Sequence, residues 1–466
     1  MKAAKDVMTR SDSSRPHLIT AIAGLLLYAV GIAVAGNAII GIATRVAALL
    51  VLLWVTTRRS SLTAWTFFAI LAGAELGADV PQVAVHLHVL AEIFLRLVRV
   101  IVAPLILGTL TTGIAAHGQV KSLGRIALRT LIYFEVITTI ALLVGVVAID
   151  LTRAGEGVVV PATFTAQQAP ATTNTHAGFE SFLLNVFPEN LVTAIGENQI
   201  LQVAVFSILL GVALALLAEE KCAPVLAVLE SLTAAMFQVT KIIMYMAPLA
   251  AGAALSYTVA SMGIGTLLPL AKLLATFYGA AIAMVILVFV PVLLLMRIPV
   301  FGFMKAISEP AAIGFATSTS QSALPLAMER MEEFGVPRWV VSFVIPSGYS
   351  FNMDGASLYL SIASIFAAQV AGIHLTLAQQ AIMVFTLMLT SKGIAGVPRA
   401  TLMILLATAS SFRLPSAPIL MILGVDALID MGRTVLNVTG NCLAAAVVGK
   451  WEENRPEVNT SDAAQN

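Results

Sequence analysis

Five polar residues near the C-terminus recur at intervals that place them on one side of an α-helix. The spacings are 4, 3, 4 and 4, and the residues are Asp426, Asp430, Arg433, Asn437 and Asn441. Residues three and four apart share a helix face, and the other positions are mainly Leu, Ile, Val, Met and Ala. Because a charge inside a bilayer is costly, such a stripe faces the protein interior and indicates a functional site. The alternative is an Asp–Arg pair that only locks helices together.

The charged members of this stripe suit a ligand that carries both signs of charge. Arg433 offers a planar guanidinium that can bind a carboxylate through two hydrogen bonds. Asp430, one turn earlier, can accept an ammonium group, and Ser320, Thr434 and Asn437 can hold an α-carboxylate. A zwitterion with an additional acid, glutamate or aspartate, fits this set. A simple dicarboxylate would leave Asp430 without a partner and repelled.

A second polar motif, Asn352-Met353-Asp354-Gly355, interrupts the apolar run Val340–Val370. Glycine permits unwinding, and freed carbonyls together with Asp354 are hard oxygen ligands of the kind that suit a dehydrated alkali cation. The alternative is a turn between two separate helices, with Asp354 as a cap. Glu135, near the start of another apolar segment, is either an interfacial carboxylate or a protonatable relay group.

The elements that must position these residues are membrane helices, because 59% of the chain is apolar and 11% is charged. An average soluble domain is roughly a quarter charged. Segments of about 20 apolar residues can span a bilayer. The predicted spans are Leu18–Ala35, Ala38–Val55, Leu62–Leu76, Leu90–Ala115, Ile126–Ala148, Phe182–Leu217, Val225–Ala260 and Thr266–Met296. The balance of 26 Lys+Arg against 25 Asp+Glu gives no indication of a nucleic-acid partner.

Two later segments have polar tips between apolar arms that are each too short to cross a bilayer. The first lies near 308–330 with its tip at Thr317–Ser322, and the second lies near 376–412 with its tip at Ser391–Arg399. Both are predicted to be re-entrant hairpins, in which non-helical backbone lines a cavity. Each precedes a long apolar segment with embedded polar residues, a pattern typical of inverted repeats around a midplane site.

The positions of Lys and Arg predict cytoplasmic N- and C-termini in a multi-pass protein of the inner (plasma) membrane. Residues 1–60 form an N-terminal extension with two predicted transmembrane helices. Residues 61–450 form the transporter, whose last helix is predicted at 416–450, and residues 451–466 form a polar cytoplasmic tail.

These motifs resemble the dicarboxylate/amino acid:cation symporter family, which includes glutamate transporters. The likeness covers about Leu62 to Trp451 and rests on Phe315–Pro325, Gly348–Gly355, Ser391–Pro398 and Asp430–Gly440. It implies an all-α, glutamate-transporter-like membrane fold with inverted repeats and two re-entrant hairpins, to which this chain adds two N-terminal helices. It also implies a homotrimer in which each transport domain moves past a static scaffold like an elevator, with the second hairpin as the outer gate.

The resemblance also implies roles for individual residues. Arg433 would bind the side-chain carboxylate of an acidic amino acid and Asp430 its amino group, and Ser320, Val397, Thr434 and Asn437 would hold the rest. The coupling ion would be H⁺, Na⁺ or both, with no other cofactor. The implied cation sites are Gly348, Asn352 and Asn437; Thr138, Thr139, Asn352 and Asp354; and Ser350 with the carbonyls of Ser391, Lys392 and Ile394.

Several positions depart from the family pattern. Sodium-coupled members typically carry Asp where this chain has Asn441, so one cation site loses its charge. Ser318 and Met431 stand where many members have an arginine, and Arg399 is the candidate replacement for that charge. Ala356 stands where a threonine often contacts the substrate, which lowers the expected affinity for aspartate.

The resemblance also bears on the coupling ion and on the substrate. Proton-coupled members resemble this chain, including the Phe-Glu at Glu135 before the Thr138–Thr139 pair. Members that transport C4-dicarboxylates lack the equivalent of Asp430, which disfavours that substrate.

Three other classes compete with a secondary transporter. An ATP-driven pump is disfavoured because the chain lacks a GxxxxGK[ST] loop. An intramembrane aspartyl protease could use Asp354 and Asp430, but Arg433 would keep Asp430 ionised, whereas a catalytic dyad shares a proton. A channel is the third class. Uphill accumulation of substrate distinguishes a transporter from a channel and from a protease.

Overall fold

A computed structural model describes most of the chain, and the regular structure in the described part is entirely helical, which confirms the predicted all-α fold class. The described residues are 20, 23–31, 38–59, 62–118, 124–158, 187–197, 199–390, 401–402, 404–406, 412, 414–415 and 417–453. The chain divides into two compact units. The first comprises the described parts of Met1–Phe94 and Tyr245–Gly265, and the second comprises those of Leu95–Met244 and Thr266–Asn466.

The first unit contains both helices of the N-terminal extension. It consists of α1 (23–31), α2 (Ala38–Arg59), α3 (Leu62–Asp79), α4 (Pro81–Ala84), a 3-10 turn (Val85–Leu87), the first residues of α5 (His88–Gly118) and α10 (Ala247–Met262). Helices α3 and α10 pack closely because glycines remove side-chain bulk at their contact. A Cβ on Gly73 would collide with the Gly252 carbonyl, and one on Gly77 would lie 2.5 Å from the Ser256 carbonyl oxygen.

The second unit begins within α5 and holds the other helices of the described residues. Its first half consists of α6 (Gly124–Thr152), α7 (Leu191–Gly196), α8 (Ile200–Leu216), α9 (Glu219–Met244), α11 (Leu267–Met284), which continues through a π-helical turn (Val285–Phe289), and α12 (Val290–Leu295). Its second half consists of α13 (Val300–Thr317), α14 (Ser320–Glu333), α15 (Arg338–Phe351), α16 (Asp354–Val370), α17 (Leu377–Thr390), α18 (Ala417–Leu423) and α19 (Asp426–Glu453).

Helices α16 and α19 form the centre of the second unit. Nearly every residue of α16 is buried, and it packs against α6, α11, α17 and α19. Small side chains such as Ser357, Ser361 and Ser364 permit this crowding, because they occupy little volume between neighbouring helices. Gly145 of α6 sits close to the Ser361 hydroxyl and to the Leu358 carbonyl.

Six segments of the described residues are long and apolar enough to cross a bilayer, and the protein is a multi-pass membrane protein. Two predicted spans, Phe182–Leu217 and Val225–Ala260, exceed one bilayer thickness, which indicates strong tilt or a break, and both contain a break. Helix α7 ends at Gly196 and α8 begins at Ile200, and Pro248, in the first turn of α10, follows the break after Met244. Proline is favoured in the first turn of a helix, where its missing N–H has no helical partner, so Pro248 suits the start of α10.

Both predicted hairpin regions are partly or wholly described. In the first, α13 and α14 pack together, and Ser318 joins them in the left-handed region (φ 51°). The second begins with α17, its tip at 391–400 lies outside the described residues, and the returning arm is helical at 401–402 and 404–406. The segment predicted as one helix at 416–450 is two helices, with a turn at Gly424 and Val425.

Candidate substrate and cation site

The predicted polar stripe lies on α19, and all five of its members are buried. Helices α13, α14, α15 and α16 pack against α19. The stripe therefore faces other protein elements, as its spacing predicted, and its charged groups are removed from lipid.

Arg433 and Asp430 form the charged centre of the stripe, and each is only 3% exposed. The Arg433 Nη2 is paired with the Asp430 carboxylate within the same helix. The Arg433 Nη1 is buried and has no hydrogen-bond partner among the described residues. Leaving a buried charged donor unsatisfied is unfavourable, so this nitrogen marks a place for an anionic group.

Tyr359 of α16 supports Arg433 from one side. The guanidinium carbon lies 5.3 Å from the centroid of the Tyr359 ring, and the Tyr359 hydroxyl donates to Asp426 Oδ1 at 2.9 Å. The sequence placed Asp426 in the stripe without a role, and it gave no reason to select Tyr359. The available signal was weak: Tyr359 is a lone phenol in a helix of small and aliphatic residues.

The hairpin formed by α13 and α14 reaches α19 next to the charged pair. A Cβ on Gly314 of α13 would lie 3.1 Å from the Thr434 methyl carbon, and Ser320 is buried at the start of α14, which packs against α19. The Thr434 hydroxyl donates to the Asp430 carbonyl at 2.8 Å, so its oxygen keeps acceptor capacity only.

Asn437 connects the stripe to the start of α16. Its Oδ1 accepts from the backbone amides of Gly355 at 2.8 Å and Ala356 at 3.3 Å. These amides belong to the first helical turn, where donors lack partners within the helix. The Asn437 Nδ2 donates to no described residue, so the nitrogen is the end of this side chain that can meet a carboxylate.

The break predicted at Asn352–Gly355 is limited to Asn352 and Met353, which separate α15 from α16, whereas Asp354 and Gly355 begin α16. Asn352 Nδ2 donates to Asp354 Oδ2 at 3.2 Å and to Asn441 Oδ1 at 3.1 Å, and all three residues are buried. The Gly348 carbonyl accepts a hydrogen bond from the backbone N–H of Asn352 at 2.8 Å. A Cβ on Gly440 would collide with Asp354, so glycine makes room for this cluster of oxygens.

Buried oxygens at this break and on helix α6, which packs against α15 and α16, are of the kinds that bind an alkali cation. The Asn352 Oδ1 and the Thr138 Oγ1 are buried and accept or donate no hydrogen bond within the described part of the chain. Carboxylate, amide and hydroxyl oxygens are ligands that hard cations prefer. The donor set around Asn352 and Asp354 therefore fits a cation without being a transition-metal site.

The remaining predicted residues either lie on α6 or are not among the described residues. Thr139 donates to the Met388 sulfur at 3.4 Å, and Glu135 is half-buried one turn before Thr138 and Thr139. Helix α6 packs against α15 and α16, which carry Asn352 at their junction. The predictions for Val397, Ser391, Lys392, Ile394 and Arg399, and for the Ser350 side chain, lie outside the described residues.

A comparison with protein families gives the class to which the chain belongs. A family model described as the sodium:dicarboxylate symporter family matches residues 62–451. The chain belongs to this family. The match confirms the family predicted from the sequence motifs, and its limits leave the N-terminal extension outside it.

Named relatives of the sodium:dicarboxylate symporter family divide between two substrate classes. The chain is 38% identical over 398 residues to the proton/sodium-glutamate symport protein of Geobacillus stearothermophilus, which covers 84% of this chain and 94% of the relative. It is 40% identical over 367 residues to the proton/glutamate-aspartate symporter of Escherichia coli (strain K12), a match that covers 78% of this chain and 84% of the relative. It is 39% identical over 397 residues to the C4-dicarboxylate transport protein of Anaeromyxobacter sp. (strain K), covering 84% and 90%.

Membership of the sodium:dicarboxylate symporter family also settles the competing class of enzyme. Family members are symporters, so Asp354 and Asp430 are not assigned as a protease dyad. The ion pair between Asp430 and Arg433 agrees with this assignment, since Asp430 is paired with a cation and not with a second carboxylate.

Proposed function

We propose that this protein is a secondary active transporter that carries glutamate or aspartate by symport with protons, sodium ions or both. The observation that carries the proposal is the buried Arg433 guanidinium, which holds one nitrogen without a partner among the described residues while the other pairs with Asp430. A cation and an anion at this spacing match the side-chain carboxylate and the ammonium group of an acidic amino acid.

The proposed binding step exchanges protein contacts for substrate contacts. Without substrate, Asp430 and Arg433 neutralise one another inside the protein. The substrate brings its own carboxylate to Arg433 and its ammonium group to Asp430, so both charges keep a partner after the exchange. Ser320, Val397 and the Asn437 nitrogen then hold the remaining carboxylate, and the Thr434 hydroxyl joins them by turning its donor away from the Asp430 carbonyl.

The proposed coupling ions bind beside the break between α15 and α16. Gly348, Asn352 and Asn437 form one candidate site, and Thr138, Thr139, Asn352 and Asp354 form another. Ser350 with carbonyls of Ser391, Lys392 and Ile394 forms a third. Asn441 is neutral, which weakens the first site for a bare sodium ion and favours a contribution from protons carried by Asp354 or Glu135.

The proposed setting is the plasma membrane, with both termini in the cytoplasm. The segments 308–330 and 376–412 act as re-entrant hairpins, and the second opens and closes the outer side of the site. Three copies assemble, and each transport domain moves past its scaffold like an elevator. Family membership supports these assignments, and the Lys and Arg distribution supports the orientation.

The test is uptake by the purified full-length protein in proteoliposomes. Radiolabelled glutamate and aspartate are offered with an inward sodium gradient, an inward proton gradient, both or neither. Uphill accumulation that collapses with an ionophore for the driving ion supports symport. Equilibration without accumulation under every gradient contradicts the proposal and favours a channel.

C4-dicarboxylate transport is the second candidate, favoured by the similarity to the Anaeromyxobacter protein. The buried carboxylate of Asp430 opposes it, because succinate brings no ammonium group to that residue. Competition of glutamate uptake by aspartate and by succinate decides between the two. Stronger competition by succinate would favour the dicarboxylate function.

A further inference from the structure

The N-terminal extension lies outside the family match at 62–451. Helix α2 packs against α3, the first helix within the matched region. Gly31 of α1 lies close to α2: its Cβ would be 2.6 Å from the Arg45 Cγ. Helix α2 thus packs on the matched region, and α1 packs on α2.

The contact between the extension and α3 centres on a carboxylate. The Tyr28 hydroxyl donates to Glu75 Oε2 at 2.9 Å, and Arg45 Nε donates to Glu75 Oε1 at 2.5 Å. Arg45 Nη2 also lies 3.4 Å from Asp79. The extension therefore supplies a hydrogen-bond donor to each oxygen of Glu75, a residue of the matched region.

These groups are shielded from their surroundings to different degrees. The side chains of Arg45, Glu75 and Asp79 are 14%, 11% and 27% exposed. Glu75 and Asp79 are four residues apart and share one face of α3, while Gly73 and Gly77 lie on the opposite face against α10. Without the extension, Glu75 would lose the Tyr28 and Arg45 donors, and Asp79 would lose its contact with Arg45.

We propose that the extension is an intramolecular charge partner of α3: Arg45 neutralises Glu75, Tyr28 completes its hydrogen bonding, and the transporter region of this chain depends on both. A carboxylate in the bilayer without a partner is strongly unfavourable, and removing one member of a buried pair leaves the other uncompensated. The role concerns assembly of the folded protein and does not rest on the identity of the substrate.

A double-mutant cycle in the full-length protein tests this partnership. The variants are Arg45→Gln, Glu75→Gln and the two combined, and the readout is the apparent Tm measured by thermal denaturation and size-exclusion chromatography in detergent. Arg45→Gln alone is expected to lower Tm by roughly 5–10 °C, since it leaves Glu75 charged and buried. The double variant is expected to recover at least half of that loss, because neither charge remains.

Matched variants separate the pair from general damage. Arg153→Gln removes the exposed partner of Glu156 and is expected to leave Tm unchanged. Asp79→Asn is expected to lower Tm less than Arg45→Gln, because Asp79 is more exposed and its contact is longer. If Arg45→Gln does not accumulate in membranes, recovery of expression in the double variant supports the proposal. Additive Tm changes, no change in either single variant, or a double variant that stays unstable would overturn it.

Discussion

The Arg433 guanidinium lies over the face of Tyr359, with 5.3 Å between the guanidinium carbon and the ring centroid. Tyr359 is itself held by its hydrogen bond to Asp426, which lies on the same helix as Arg433. Ring and carboxylate together restrict the orientation of the guanidinium before a substrate arrives. Such preorganisation would lower the entropic cost of binding the proposed substrate carboxylate.

Two substitutions at Tyr359 separate the roles of its hydroxyl and its ring. Tyr359→Phe removes the donor to Asp426 but keeps the ring below Arg433, whereas Tyr359→Leu removes both. We expect a modest rise in KM for Phe and a rise of roughly 10-fold or more for Leu. Glutamate uptake kinetics in proteoliposomes provide the measurement, with the exposed Tyr245→Phe as control. Equal effects of the two substitutions would show that the ring makes no contribution of its own.

Arg433 is expected to set the preference for acidic substrates. Arg433→Cys removes the guanidinium that binds the side-chain carboxylate, so the affinity for glutamate should fall by about 100-fold or more. A neutral amino acid can then fit without leaving a buried charge. Binding and uptake of glutamate and serine are compared in the variant and in the exposed-site control Arg153→Cys. Unchanged affinity for glutamate in Arg433→Cys would contradict the assignment.

Asp430 is expected to distinguish amino acids from dicarboxylates. Asp430→Asn removes the partner of the substrate ammonium group, so aspartate and glutamate should bind roughly 10-fold to 100-fold more weakly. Succinate lacks the ammonium group and should lose much less. Competition against labelled glutamate measures both affinities, and equal losses would mean that Asp430 serves the structure alone.

Gly440 is expected to tolerate no side chain, because its Cβ would collide with Asp354 Oδ2. Gly440→Ala must displace the carboxylate or the helix, and the cation concentration for half-maximal uptake should rise by about 10-fold. Gly279→Ala is the matched control, since a Cβ there meets no atom within 4 Å. Cation titrations of uptake test the pair. A similar response in both variants would refute a specific steric role at Gly440.

Protons are expected to contribute to coupling. Glu135→Gln fixes this side chain in its neutral form, so we expect exchange of internal for external glutamate to continue while concentrative uptake fails. Asn441→Asp restores a negative charge beside Asn352 and should increase the dependence on sodium. Uptake with a proton gradient alone and with a sodium gradient alone is measured for both variants. Accumulation driven by sodium alone, indifferent to pH and to Glu135→Gln, would show that the proton hypothesis is wrong.

The polar groups of the site could be predicted because each violates the rules of an apolar helix. Asp430, Arg433 and Asn437 share a face that cannot contact lipid, and Asn352 interrupts an otherwise continuous apolar run. Both features are local in sequence and costly in a membrane, so they indicate structure without an alignment. The structure confirms the burial of the stripe and the break before α16.

Other features could not be predicted because they depend on contacts between distant segments. Tyr359 has the appearance of an ordinary aromatic core residue, and its partners Asp426 and Arg433 lie more than 60 residues away in the chain. The length of the apolar run Val225–Ala260 indicates strong tilt or a break, but nothing in the run places that break after Met244. Likewise, Glu75 could be recognised as unusual in a membrane helix, but not as the partner of Tyr28 and Arg45.

The amide of Asn437 has a consequence for the energetics of transport. Its oxygen accepts hydrogen bonds from the first amides of α16, and Gly355 lies directly against the Arg433 carbonyl. The start of α16, just after the break at Asn352 and Met353, is therefore in direct contact with the helix that carries Arg433. An ion that orders residues 352–356 therefore orders the groups expected to bind the substrate. Thermodynamic reciprocity requires the substrate to raise the affinity for that ion by the same factor. On this view, release of either ligand on the inner side weakens retention of the other, which would keep the two fluxes in a fixed ratio.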